Sequence, residues 1–447
     1  MPEGSDSNGG RPLKPEEKAR LGILALPTFA LAFSITVVST YLGEAVRRYT
    51  HNTEVIGAIV GGEGIMALWV PIIFGTWSDR ARTRIGGRLP FVIAGSIPAA
   101  VAMALIGFLH SVGTVAAVTA IFFLFYFIAY EPYRALYPDL FQVEEVAGRA
   151  QSTQAIARGI GTGGALLGGG LLLSLWRPLP FFFAGVVLWI AVAAFVVLAL
   201  RSGIGGRQRE RADGDAERPQ HPTAGHASHV HAIRAVAVDI YQFVYSHAAL
   251  RAYFFANALW EMALAALKAF VVLYMTLGLH YSLSTSSLII GGVALLILVG
   301  AAASGKLGDR YGHIRVVRIA VIFYGLGYLV PAFTTSRAAI GAAMPFIALG
   351  GGTLMTLAYA LLMPLMPEGE HGALTGYYSM SRGVGIVLGP VIAGVLIEVT
   401  HRNVSLFQAT HGFQAMWLVC AGAAFASLYF LRRLRQVRDD RGELERR

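Results

Sequence analysis

Twelve long runs of apolar residues occupy almost the whole of this chain. A run of roughly 18 or more such residues is long enough to cross the hydrocarbon of a bilayer as a helix. No water is available there to bond a free backbone N–H or C=O, so only helices or a closed barrel can span. The runs are continuous rather than alternating, which selects helices over a barrel. The expected spans are 21–43, 54–75, 91–110, 114–135, 152–175, 180–200, 250–277, 285–305, 314–333, 338–363, 373–398 and 411–431. Only 14% of the residues are charged and 55% are hydrophobic, against about 25% charged in a soluble chain. An ordinary soluble enzyme is excluded, and no catalytic grouping is visible. The single cysteine, Cys420, rules out an intramolecular disulfide and a cysteine-rich metal site.

Residues 201–247 differ in kind, rich in Arg, Asp, Glu, Gly, Pro and His, and divide the spans six and six. The expected organisation is a polar tail (1–20), a six-helix bundle (21–200), a linker (201–247), a second six-helix bundle (248–431) and a basic tail (432–447). The run from Leu21 to Gly43 is too long for a signal-peptide core and reads as a retained helix. With both termini on one side, 27 of the 36 Lys and Arg fall on that side, 5 on the other and 4 within spans. Basic loops stay cytoplasmic, so both ends are expected inside a cell membrane. The net charge of +10 sits beside the spans, which points to anionic lipid headgroups rather than nucleic acid. His221, His226, His229 and His231 lack the spacing of a metal site. No cofactor is expected.

The two halves repeat. Gly75-Thr-Trp-Ser-Asp79-Arg80 follows the second span, and Gly305-Lys-Leu-Gly-Asp309-Arg310 follows the eighth. Ala157-Arg158-Gly159-Ile160-Gly161 in the fifth span matches Ser381-Arg382-Gly383-Val384-Gly385 in the eleventh, at nearly the same offset along the chain. Parallel repeats of this kind place a small-molecule site between the halves near the midplane, reached by rocking.

Those loops resemble the signature of the major facilitator superfamily. The resemblance implies an all-α fold of twelve transmembrane helices in two pseudo-symmetric bundles, with the Asp and Arg of each loop acting as a gating latch. A narrower likeness lies in the first half. Ser78-Asp79-Arg80-Ala-Arg-Thr-Arg84-Ile-Gly86-Gly-Arg88-Leu-Pro90-Phe91 and Pro132-Tyr-Arg134-Ala135-Leu136-Tyr-Pro-Asp139-Leu140 resemble loops of the sucrose-type proton symporters and, more distantly, of the glycoside–pentoside–hexuronide cation symporters. The likeness implies gating roles for Asp79, Arg80, Arg84, Arg88, Asp139, Asp309 and Arg310. Drug and proton antiporters of the superfamily usually carry a glycine–proline motif in helix 5. Here the proline string, Gly385 to Gly394, lies in helix 11.

Ionisable residues inside spans are costly, by at least about 2.5–3.5 kcal/mol near the bilayer centre, and persist for function or in pairs. Glu63 sits halfway along helix 2 among glycines. A carboxylate away from water can take and release a proton in the working pH range, so Glu63 is a candidate proton carrier; its alternative is a structural acid paired with an arginine. Helix 7 carries Asn257, Trp260, Glu261 and Lys268. Asn257 and Glu261, four apart, share a face. Lys268 lies two turns beyond Glu261, about 10.5 Å of rise, too far for a tight pair along the backbone. The set suits sugar hydroxyls, with Trp260 as a ring platform; the alternative is an internal charge network. Tyr130 and Tyr359 join the candidate substrate residues, and Glu261 joins Glu63 as a coupling candidate. Glu131, Arg134 and Arg158 are expected at similar depth as a gating ion network, with Arg382 as the repeat partner of Arg158.

The first functional expectation is a monomeric secondary transporter importing a sugar, glycoside or similar polar solute with protons or sodium. The second is a proton-coupled exporter of a drug or amphiphile, in which Tyr126, Tyr130 and Phe255 would line an aromatic pocket. The third is a membrane sensor without transport.

Overall fold

The structure, a computed structural model, describes residues 14–81, 83–141, 144–204, 247–362, 365 and 371–444. The first half comprises α1 (Pro15–Val46), α2 (Thr53–Arg80), α3 (Leu89–Ile106), α4 (Val112–Leu140), α5 (Glu144–Leu175) and α6 (Leu179–Arg201). The second comprises α7 (Ala248–Leu273), α8 (Leu283–Tyr311), α9 (His313–Phe333), α10 (Arg337–Leu362), α11 (His371–Asn403) and α12 (Ala415–Leu444). All twelve are long and apolar enough to cross a membrane. Polar side chains start several of them. Asn52 accepts from the amides of Glu54 (2.8 Å) and Val55 (3.2 Å), Ser111 from Thr114 and Ser282 from Thr285, each satisfying amides that a helix start leaves open.

Many boundaries differ from the sequence expectation: α1, α5 and α11 start earlier, and α1, α2, α8, α11 and α12 run on several residues further. Helix α3 stops at Ile106 rather than residue 110; the glycine that follows, Gly107, packs against Pro178, where a Cβ would collide. Helix α4 runs on to Leu140. Helix α12 starts at Ala415 rather than residue 411; a four-residue helix, Ser405–Gln408, and a turn with His411 and Gly412 at positive φ (51° and 80°) come before it. That backbone region cannot continue a right-handed helix. The expected linker falls largely on residues 205–246, which with the four linker histidines and residues 1–13 lie outside the described residues.

Packing in the halves corresponds helix for helix. In the first, α1 packs on α5 and α6, α3 on α4 and α6, and α2 on α4; in the second, α7 packs on α11 and α12, α9 on α10 and α12, and α8 on α10. Adding six to each number of the first set gives the second. The chain is therefore two pseudo-symmetric six-helix bundles. They meet through α2 with α11, α5 with α8 and α1 with α7, which the same exchange maps onto themselves.

The seam is closest toward the end opposite the termini. Gly57 and Gly61 of α2 lie against the carbonyls of Pro390 and Val387 in α11, and Gly43 of α1 against that of Ala269 in α7. Glycine permits this because it leaves no side chain between the two backbones. Side-chain contacts bridge the same end. Tyr41 and Ser287 share a hydrogen bond of 2.7 Å, Ser284 donates to Ser174 at 3.0 Å, and Thr53 donates to the carbonyl of Gly394 at 2.8 Å.

Candidate functional site between the two halves

Midway along α2 and α11 the glycine contacts end and charged side chains take over. Glu63 of α2 lies in the electrostatic field of Lys268 and Glu261 of α7 and Arg382 of α11. Helix periodicity explains the set: Glu261 and Lys268, seven apart, share one face of α7. Gly385 and Gly389 let α11 sit directly on the α7 backbone at Ala258 and Met262, which brings Arg382 beside Glu261. Their Nε–Oε1 distance is 2.8 Å, with Arg382 36% and Glu261 17% exposed. Glu261 thus pairs across helices with Arg382 rather than along its own helix with Lys268. Arg382 also lies over the ring of Tyr378, 5.8 Å from its centre, and Tyr378 meets Tyr359 edge-on at 5.4 Å.

The facing wall is built by α4 and α5. Tyr126 and Tyr130, one turn apart, stack at 5.4 Å. Tyr130 stands in the combined field of Arg158, Arg134, Glu131 and Arg382. Across the gap Tyr378 is acted on by Arg382, Glu261, Arg134 and Arg158. The expected Glu131, Arg134 and Arg158 group therefore comes together, joined by Arg382. Among the described residues, however, none of the first three closes an ion pair. The charged set holds three carboxylates (Glu63, Glu131, Glu261) and four cations (Arg134, Arg158, Lys268, Arg382), with one close pair among them.

Two helix-7 residues are committed to structure. Asn257 is 1% exposed and donates to Ser381 at 2.7 Å. Trp260 is 5% exposed, its indole N–H donating to Ser427 at 2.8 Å. Asn257 thus commits an amide N–H to Ser381, and the buried Trp260 does not present to the gap the ring platform expected of it. Phe255 is exposed and stacks on Phe430 at 5.3 Å, a different surface from the Tyr126–Tyr130 stack. Tyr378 is the site residue that sequence reasoning missed. Its signal was its position four residues before Arg382, on the same face of α11.

At the termini end, Arg88 donates to Asp139 through two nitrogens, at 2.6 and 3.3 Å. This fork-shaped pair ties the α2–α3 connector to the end of α4. Arg84 is exposed. Asp309 lies 3.6 Å from His313, and Arg310 lies over Tyr311 at 5.3 Å. Asp79 and Arg80 close α2, but their side chains lie outside what is described.

Comparison with known proteins bears on the fold first. The solved nucleoside transporter NupG superposes with a TM-score of 0.73 at 15% identity, covering 94% of this chain and 99% of that one. A D-xylose–proton symporter gives 0.68 at 13% identity, covering 92% and 97%. The architecture is therefore the major facilitator fold. A profile described as Major Facilitator Superfamily matches residues 252–446. The multidrug resistance efflux pump PmrA homologue of Lactococcus lactis is 28% identical over 133 residues, 29% of this chain and 33% of that protein. The chain spans about a third, or less, of the length of the curated relatives it matches.

Proposed function

We propose that this chain is a secondary active transporter of the major facilitator superfamily, carrying a small polar solute such as a sugar or glycoside together with protons by alternating access. The observation that carries this reading is the charged constellation held between two bundles. Glu63, Tyr130, Arg134 and Arg158 come from one half, and Glu261, Lys268, Tyr378 and Arg382 from the other. A solute in that gap touches both bundles at once, so binding and rocking are coupled. Glu63 is the proton carrier in this reading. It stands on α2 facing two cations and an acid of the second half, so protonation changes the attraction across the seam that must open.

With the termini cytoplasmic, as the Lys and Arg distribution supports, the bonded end is the outward one. Arg88 and Asp139 come from the two loops that resemble the sucrose-type symporters, and their pair joins the loops. That supports a shared gating role. Tyr359, Tyr378 and Tyr130, all part-exposed, supply ring faces for the solute. Asp79, Arg80, Asp309 and Arg310 stand at the ends of α2 and α8 as the gating latch, and basic tails meet anionic headgroups.

Proton-coupled export is the second reading, favoured by the sequence likeness to the Lactococcus lactis efflux pump. Reconstitution into liposomes with an imposed pH gradient tests both. Solute accumulation should follow the gradient, and its direction separates import from export. Glu63→Gln should abolish accumulation while leaving solute exchange intact. Full accumulation by that variant overturns the coupling role of Glu63.

A further inference from the structure

The constellation between the halves is unevenly matched. Glu261 takes the Nε edge of Arg382 at 2.8 Å. The two terminal nitrogens of that guanidinium make no hydrogen bond or ion pair among the described residues. Arg134 and Arg158 have neither, and Arg158 is exposed. Glu131 is the one carboxylate that joins Arg134, Arg158 and Arg382 in the field around Tyr130, and it closes no pair with any of them. Three guanidiniums from α4, α5 and α11 thus act on both phenols of the gap, Tyr130 and Tyr378. Unmatched cations partly withdrawn from water, as Arg134 and Arg382 are, are unfavourable unless a counter-charge arrives, and the exposed Arg158 is free to meet one. Guanidinium forks match the planar, two-oxygen edge of a carboxylate or phosphate, and a phenol O–H adds a further donor. A neutral solute would leave this set unmatched.

We propose that Arg134 and Arg158, opposite Arg382, form a subsite for an anionic group, a carboxylate or a phosphate, on the transported solute. This deepens the transporter reading and rests on it. The Glu261 carboxylate on Arg382 is the internal example of the chemistry: an oxyanion already occupies one edge of the fork. Arg158 and Arg382 sit at repeat-equivalent positions in opposite halves, so an anion between them attracts both bundles and draws the termini end closed around the solute. Lys268, two turns beyond Glu261 on α7, acts on Glu63 and lies outside the subsite.

The test uses the full chain, purified in detergent, with thermal unfolding followed at matched ionic strength. The probes are inorganic phosphate, D-glucuronate and neutral D-glucose. Phosphate and glucuronate should stabilise the protein in a saturable manner, and glucose should do so much less. Arg134→Gln and Arg158→Gln should each weaken the apparent affinity for both anions by about 10- to 100-fold, the scale of one lost charge-assisted hydrogen bond. Arg158→Lys keeps the charge but loses the fork, so it should fall between, and it serves if the glutamine variants fail to fold. Arg433→Gln, exposed on α12 over Tyr429, should change nothing. Glucuronate binding without phosphate binding would make the group a carboxylate; the converse would make it a phosphate. Absence of stabilisation by either anion overturns the subsite, as does stabilisation that survives the arginine variants unchanged. Gradient-driven transport of a neutral solute at full rate by Arg158→Gln would sink the subsite and leave the transporter reading standing. Anion binding without any transport would do the reverse.

Discussion

Removing the Tyr41 hydroxyl should release the closed end of the seam. Tyr41 is 1% exposed, and its hydroxyl donates to the carbonyl of Leu166 at 2.8 Å. A phenol has one hydrogen to give, so the 2.7 Å bond across the seam must run the other way, from Ser287 into the Tyr41 oxygen. Tyr41→Phe deletes that acceptor and leaves the hydroxyl of Ser287, a fully buried residue, without its cross-seam partner. When this end opens, water replaces the lost partner. The loss therefore falls on the closed state alone. An unsatisfied buried hydroxyl costs about 1–2 kcal/mol, which moves the open-to-closed ratio at this end by about 5- to 30-fold. Ser287→Ala removes donor and desolvation together, so it should shift the ratio less, and the double variant no further than Tyr41→Phe. Spin labels at His51→Cys and Asn403→Cys, flanking this end, report the ratio as a distance distribution. The native Cys420 is fully buried and does not compete for label. Unchanged distances in Tyr41→Phe, with the protein folded, would refute the assignment of this bond as a lock.

Glu261→Gln should lower thermal stability by about 1–2 kcal/mol, below the 3–5 kcal/mol of a fully buried pair because both partners are partly exposed; an unchanged unfolding midpoint in detergent contradicts this. Arg88→Gln should lose up to about 1 kcal/mol, since the Arg88–Asp139 pair is 17% and 31% exposed, and should speed protease cleavage of the α2–α3 connector, a rate that stays put if the pair is idle. Partial burial and the nearby His401, Arg47 and His280 hold the His411 imidazole below its ordinary value. A base depressed in the folded state keeps its stability contribution above the unfolded value, about 6.5, and loses it as pH falls through that value toward the folded one. Acidification below about pH 6.5 should thus loosen the bonded end, and His411→Asn, which tolerates the same positive φ, should flatten the response of the label distances to pH.

The twelve helices were legible because hydrophobic length is a property of each segment alone. Their ends were less so, since several helices run on past their apolar stretch into polar residues, as α2 does to Arg80 and α8 to Tyr311. In the site, the ionisable residues were conspicuous in apolar runs, and the repeat marked Arg158 and Arg382 as equivalent. What the sequence withheld was pairing. Along α7, Glu261 and Lys268 share a face but lie too far apart for a tight pair, and the sequence named no other partner; the one that reaches Glu261 is Arg382, delivered by the glycine contact between α11 and α7. Asn257 and Trp260 looked available for solute until Ser381 and Ser427, on other helices, were seen to hold them.

The glycine-lined contact between α2 and α11 has a mechanical consequence. Gly57, Gly61 and Gly64 present bare backbone to Pro390, Val387 and Gly383, so no side chain of their own hydrogen-bonds across this stretch of the seam. In the rocking motion proposed for the two halves, the directional contacts that must break at this end are the hydroxyl bonds of Tyr41, Thr53 and Ser284. Evolution or an engineer could therefore retune how long the molecule dwells in either posture by adding or deleting a single hydroxyl at that rim, without touching the solute-binding chemistry at its centre.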